Sequence, residues 1–280
     1  MVYFVCKKFL FRSSNVYYCR RFYTYATGTN CYIATMDSNF LVTNATVIQL
    51  KQLLIGYNRK SIGKPVTGRF KRGSMTAIIG VNGSGKSTLL QTIAGLLFPV
   101  SGKIEFCQEG RPRIGYLPQQ TEIDRQFPLK VFEVVSMGCW PATSILSSIN
   151  NEQKIFIWNS LKQVGLDNKA FDNIGSLSNG EFQRMLFARL LVQQAPLVLL
   201  DEPFTSIDSS TSSILLTIIT QLHQQGSTLI VVLHDYMLVA KYFPTTLLLS
   251  PIHNAWGSSA DILKQFIIPT MAVRQQQRIL

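Results

Sequence analysis

The sequence predicts an α/β fold with a mostly parallel sheet core, an antiparallel β subdomain and a helical insert, on the strength of three observations. A glycine-rich loop at residues 80–88, GVNGSGKST, follows the short apolar run 75–79 and precedes the helix-like stretch 89–97. Beyond residue 180, helix-patterned and strand-sized apolar segments alternate: helix 180–193, strand 197–200, helix 210–223, strand 228–233, short helix 236–242 and strand 246–250. Strands separated by helices imply a parallel sheet with helices on both faces. Between residues 120 and 177 the composition shifts to helical spacing, which marks the insert.

Residues 47–57, VIQLKQLLIGY, alternate apolar and polar side chains and predict a strand that ends in a turn at Tyr57 and Asn58. A second strand is expected at 66–70, and the basic turn Lys71-Arg72-Gly73 leads into the strand before the glycine-rich loop. After the loop's helix, 99–102 reads as a turn, 103–107 and 113–117 as strands, and Pro118-Gln119-Gln120 closes the latter. Within the insert, 133–137 and 153–164 have helical spacing, separated by the turn-rich stretch 141–151. From Asp261 the chain reads as a helix followed by a polar basic tail, 274–278. The expected organisation is a basic extension at 1–35, one domain at 36–260 with its insert at about 120–177, and a helix and tail at 261–280. No internal repeat is evident.

The 280 residues are 46% hydrophobic, enough for a sizeable core. The net charge of +12 points to an anionic partner. Five of those charges, Lys7, Lys8, Arg12, Arg20 and Arg21, lie in the acid-free residues 1–35, and the rest are scattered rather than interleaved with aromatics, so no nucleic-acid partner is expected. Cys6, Cys19, Cys31, Cys107 and Cys139 form no C-x-x-C pair and lie far from histidines, which implies neither a disulfide framework nor a zinc site and fits a reducing cytosol. No apolar run approaches the roughly 20 residues that span a bilayer. Residues 1–35 hold six tyrosines and no clear period; translation starting at Met36 after an over-extended or disordered tail, a transit peptide, and an unassigned segment all remain open.

The glycine-rich loop has the setting of a phosphate-binding loop. Gly80, Gly83 and Gly85 permit backbone angles closed to other residues, so successive N–H groups, with those of Asn82 and Ser84, curl around an anion at a helix N-terminus. Lys86 reaches the outer phosphates and the Ser87 hydroxyl, with Thr88 following, ligates magnesium. Further on, LVLLDEP at 197–203 is a buried-strand pattern ending in Asp201 and Glu202. Ligands collect at the C-terminal ends of parallel strands, which sets Asp201 beside Mg2+ and Glu202 as general base for the attacking water. Between them lies LSNGEFQR at 177–184, where Ser178 is a helix N-cap and Gly180 allows close backbone approach, a second phosphate-binding helix start. One triphosphate does not reach both helix ends in a single subunit. Two copies packed head to tail solve this, each helix start completing the other's site.

In order, GVNGSGKST, YLPQQ, LSNGEFQR, LVLLDEP, SID and VVLHD resemble the nucleotide-binding subunit of an ATP-binding cassette (ABC) transporter, over about residues 47–250. The resemblance implies a P-loop NTPase of ABC type that binds ATP with Mg2+ and hydrolyses it. It implies that Gln119 senses the γ-phosphate and magnesium and couples them to the insert. Asp208 would touch the opposite subunit, His234 would hold the γ-phosphate and position the water, and Tyr57 would stack on adenine. The signature departs from the common LSGGQ at Asn179 and Glu181; asparagine tolerates left-handed backbone, so the turn can survive.

YLPQQTEIDRQFPLKVFEVVSMGCW, EPFTSID, VVLHDY and TLLLSPIHNAWG are similar to the ATP-binding proteins of bacterial zinc and manganese importers, the zinc subgroup above all. That likeness implies integral membrane permease subunits, a separate periplasmic or extracellular metal-binding protein, and a peripheral position on the cytoplasmic face of the inner membrane. A permease helix would dock near Glu122, Asp124, Arg125 and Phe127, and the dispersed His223, His234 and His253 leave the transported zinc no site on this chain. The readings kept beside it are a transporter subunit for another solute and a soluble ABC ATPase of iron-sulfur assembly, translation or DNA repair.

Overall fold

The computed structural model describes residues 6–13, 16–27, 30–34, 45–58, 60–106, 110–119, 123–140 and 149–267, and the chain divides into two units between Thr43 and Asn44. In the first, β1 (Cys6–Ser13), β2 (Val16–Thr27) and β3 (Asn30–Ala34) pair in that order as an antiparallel sheet, with Cys6 opposite Tyr23 and Tyr23 opposite Ala34. No period announced these strands because cations and aromatics follow one another at both parities, as in KKFLFR and YYCRRFY.

The second unit contains two sheets. In chain order its elements are β4 (Thr46–Tyr57), β5 (Lys60–Lys71), β6 (Met75–Gly80), α1 (Lys86–Ile93), β7 (Ser101–Phe106), β8 (Ile114–Leu117), α2 (Val131–Ser136) and α3 (Asn151–Gln163). There follow α4 (Asn179–Val192), β9 (Leu197–Asp201), α5 (Ser209–Gln224), β10 (Thr228–Val232), α6 (Tyr236–Tyr242), β11 (Thr245–Leu249), β12 (Ala255–Ser258) and the short turn α7 (Ser259–Ile262), which runs into a π-type turn over Leu263–Ile267. The larger sheet has the order β12-β11-β6-β10-β9-β8, parallel throughout except for the antiparallel edge pair of β11 and β12. The smaller sheet, β5-β4-β7, is antiparallel.

Side chains alternate across the parallel strands, and each face meets a different layer. Ile78, Leu199, Ile230, Val232 and Leu247 pack with α1 and with Ile48, Leu50, Leu53, Ile55 and Phe70 of the antiparallel sheet. Ala77, Ile79, Val198, Leu200, Leu229, Val231 and Leu248 pack on the other side with residues of α2 to α6. Both faces are covered, which is why these strands read as unbroken aliphatic runs.

Most elements lie within a few residues of their expected places. β5 begins six residues before the expected strand because Gly63, Pro65 and Gly68 hide its period. β12 was not foreseen: four residues containing a glycine carry no readable alternation, and its place is set by Trp256, which packs edge-on against Phe70 at 4.7 Å. The expected turns at 141–148, Glu122 and the basic tail 274–278 lie outside the described residues.

Candidate functional site

The loop between β6 and α1 is shaped by its neighbours. Gly80 has φ 153°, and a Cβ there would stand 2.2 Å from the Leu249 carbonyl oxygen at the end of β11. Gly85 is the N-cap of α1 in left-handed conformation, φ 95°, where a Cβ would meet Ile55 Cδ1 at 2.8 Å. Only glycine fits either position, since both combine a positive φ with closed space.

Lys86 is 5% exposed, and its Nζ donates to the carbonyls of Gly80 at 3.0 Å and Val81 at 3.1 Å. Burial pulls its pKa down, while the carboxylates of Glu202 and Asp201 act in the opposite direction. Asp201, at the end of β9, is 2% exposed. Burial pushes its pKa up, opposed first by the Ser87 hydroxyl, which donates to Asp201 Oδ1 at 3.1 Å. The hydroxyl of Ser84 is buried and has no hydrogen-bond partner among the described residues. A hydroxyl left unsatisfied in such a loop is costly by itself and suits an anion that accepts from it.

Glu202 follows β9 at φ 50°, an uncommon conformation for a glutamate, held by its own N–H donating to the Val232 carbonyl at 3.2 Å. That geometry turns its carboxylate toward three donors. Gln119 Nε2 donates to Oε2 at 2.7 Å, Thr205 Oγ1 donates to Oε2 at 3.3 Å, and His234 Nε2 donates to Oε1. Asn82, Gly83, Gly85, Lys86, Ser87, Thr88, Gln119, Glu202 and His234 line one cleft of about 360 Å³ together with Ile62. Ile62 and Thr205 were not anticipated; β5's broken period hid the first, and a threonine in a turn gives no signal for the second.

Tyr57, at the end of β4, stands at the side of α1: the residue is 47% exposed, and its hydroxyl donates to Gln91 Oε1 at 3.1 Å and accepts from Thr88 Oγ1 at 3.4 Å. Ser178, Gly180 and Asp208 do not line the cleft. Ser178 caps α4 in a reciprocal box with Glu181: Glu181 N donates to Ser178 Oγ at 3.2 Å and Ser178 N to Glu181 Oε2 at 3.0 Å. Asp208 caps α5 through Thr211 N at 2.9 Å and Thr211 Oγ1 at 2.8 Å, and also accepts from Ser210, so its pKa is held well below the carboxylate range. The two helix starts touch, since a Cβ on Gly180 would fall 2.7 Å from Thr211 Oγ1 and 3.0 Å from Asp208 Oδ2.

The two unusual signature residues both have partners. Arg125 Nη1 donates to Asn179 Oδ1 at 3.0 Å, and Lys169 pairs with Glu181 at 2.7 Å. The lysine is the main cause that lowers the Glu181 pKa from 4.5 to about 2. A depressed folded pKa makes this stabilisation complete above about pH 4.5 and lost as the pH falls toward 2. Glu181→Gln is therefore expected to flatten that part of the acid limb in thermal unfolding followed from pH 7 to pH 2. An unchanged acid limb would contradict the pairing.

A strand, a phosphate-shaped loop and helix N-terminus, and two carboxylates at the end of a neighbouring parallel strand define a nucleotide-hydrolysing site of P-loop type. The family model described as "ABC transporter" matches residues 64–205. The chain is 35% identical over 207 residues to the manganese transport system ATP-binding protein MntB of Listeria monocytogenes, covering 72% of this chain and 86% of that one. It is 38% identical over 211 residues to the zinc transport system ATP-binding protein TroB of Treponema pallidum, covering 74% and 79%. Among solved structures it superposes, with a TM-score of 0.70 and 28% identity, on a transporter assigned to the metal-chelate ABC type and captured facing inward, covering 78% of this chain and 85% of that one. The chain belongs to the ABC transporter family, as an ATP-binding domain with ATPase activity.

Proposed function

We propose that this ATPase powers a membrane permease that imports zinc or manganese, with zinc as the first reading. The observation that carries the proposal is the pair of relatives above, one named for manganese and one for zinc, at similar identity across most of the chain. The sequence stretches after Gln119 and around Asn254 favour the zinc subgroup.

ATP would lie with its phosphates in the loop from Gly80 to Thr88, its β- and γ-phosphates against Lys86 and its adenine on the ring of Tyr57. A phosphate entering the cleft gives the buried ammonium of Lys86 an anionic partner in place of two neutral carbonyls. The oxygen donors of Ser87, Asp201 and Gln119 suit Mg2+, a hard cation that would neutralise phosphate charge when bound. Glu202, already oriented by Gln119, Thr205 and His234, takes the proton of the attacking water, and His234 steadies the γ-phosphate. The start of α4, with Ser178 and Gly180, caps the γ-phosphate of a second copy packed head to tail, and Asp208 faces that copy.

A larger cleft, about 650 Å³, is lined by Gln91, Leu97, Tyr116, Ile123, Leu186 and Arg189 among others. Leu96, Leu117 and Pro118 also line it, Pro118 immediately precedes Gln119, and the 93% exposed Phe98 follows the lining residue Leu97 in the chain. The buried Arg189 Nε has no hydrogen-bond partner among the described residues. An amphipathic cytoplasmic helix of the permease fits this combination of apolar wall and polar groups, and Asp124 and Phe127 follow the lining residue Ile123 in the chain. The chain would then sit peripherally on the cytoplasmic face of the membrane, supplied by a separate metal-binding protein outside; among the described residues no helix is long and apolar enough to cross it.

Growth of a deletion strain under metal chelation tests the substrate. Added zinc, and not manganese, is expected to restore growth. Rescue by manganese alone would move the assignment to that metal, and rescue by neither would remove metal import.

A further inference from the structure

We propose that Arg125 is a positioning residue that binds the segment following Gln119 to the start of α4, so that the permease-facing segment and the helix start that caps the second copy's γ-phosphate move as one body. The proposal rests on the head-to-tail reading above and adds to it the physical connection between its two ends.

Arg125 is held at two points, and its backbone passes close to Gly175. Its Nη1 donates to Asn179 Oδ1 at 3.0 Å, its guanidinium carbon lies 4.0 Å from the centroid of the Phe182 ring, and its carbonyl lies where a Cβ on Gly175 would approach to 2.8 Å. Asn179 and Phe182 are three residues apart on α4, on the same side of its first turn. A planar guanidinium that stacks on one and donates to the other is fixed in both position and tilt. The link exists because position 179 carries a side chain: the glycine common at this place offers no amide oxygen. Glu181, the second departure, ties the same turn to Lys169 at 2.7 Å, on the short 3-10 turn Asp167–Lys169 after α3. The two departures from the common signature are thus both side chains that, with Phe182, fasten the start of α4 to the insert. They replace freedom of that turn with two charge-assisted contacts.

The test uses the full chain carrying Glu202→Gln, with ATP and magnesium, and measures dimer formation by sedimentation. Adding Arg125→Ala is expected to weaken dimerisation about tenfold or more, from loss of a charged hydrogen bond and a ring contact. Affinity for a fluorescent ATP analogue, measured at concentrations where the chain is monomeric, is expected to stay the same, because the loop, Lys86 and Asp201 are untouched. Arg125→Lys is expected to recover only part, since an ammonium lacks the planar fork. Asn179→Gly should weaken dimerisation similarly, and combining it with Arg125→Ala should cost little more than either alone. If Arg125→Ala does not fold, Asn179→Gly carries the test. Unchanged dimerisation, fully additive effects, or an equal fall in monomer ATP affinity would each overturn the proposal. A Glu202→Gln chain that stays monomeric with ATP would instead overturn the head-to-tail reading, and this inference with it.

Discussion

Glu202→Gln is expected to lower ATP turnover at least a hundredfold while ATP remains bound. The substitution keeps the shape of the side chain and so keeps the left-handed backbone at φ 50° and the contact with Thr205. It removes the one property that the arrangement supplies, a carboxylate oriented by Gln119 Nε2 at 2.7 Å and by His234 and able to accept a proton from water. General-base contributions are typically about 10²- to 10⁴-fold, so the loss is readily seen in a phosphate-release assay. In the proposed binding mode the nucleotide is held by other residues, the loop amides, Lys86 and Ser87. Equilibrium binding of ATP should therefore match the parent. A variant that hydrolyses ATP at the parent rate would remove Glu202 from the base role and leave His234 as the group to examine.

Lys86→Met is expected to weaken ATP binding about a hundredfold or more, as the loss of charge-assisted contacts to two phosphates requires. The nucleotide-free protein should change little. Lys86 is 5% exposed and its pKa is lowered by burial, so removing the charge relieves a desolvation cost while the carbonyls of Gly80 and Val81 lose their donor. Thermal unfolding with and without nucleotide separates the two effects. Ligand at about 100 times its Kd stabilises a fold by about 2.7 kcal/mol, and a hundredfold weaker site at the same concentration yields only about 0.4 kcal/mol. The ATP-induced rise in Tm should nearly vanish in the variant. A rise of the parental size would show that Lys86 does not meet the phosphates.

How much of this was legible in the sequence depends on the distance between the residues concerned. The loop from Gly80 to Thr88 lies in one stretch of chain with a strand before it and a helix after it, and periodicity and glycine spacing are local signals. Asp201 and Glu202 were equally readable, because the aliphatic run of β9 places whatever follows it at the sheet's C-terminal edge. That Gln119 and His234 belong to the site came from family likeness alone, and their contacts with Glu202, 83 and 32 positions away, were not foreseen. The partners of Asn179 and Glu181 were not readable at all. Arg125 was read as one of four candidates to meet a permease helix, and its side-chain contacts with Asn179 and Phe182 were not foreseen. Nothing in the local sequence distinguishes an arginine that reaches solvent from one that stacks on a ring 57 residues away. The strands of residues 6–34 were missed for a different reason: mixed parity erases the period-two signal on which strand prediction rests.

In the proposed arrangement the phosphate is assigned to two helix starts in one chain, those of α1 and α4, and only the first lines the cleft with Lys86 and Glu202. The account requires a second copy to bring the other end over the γ-phosphate. Sedimentation of the Glu202→Gln chain with ATP and magnesium tests this most directly. A dimer that holds two ATP molecules, and that returns to monomer when ATP is replaced by ADP, is the predicted result. A chain that binds ATP tightly and remains monomeric at every concentration would contradict it.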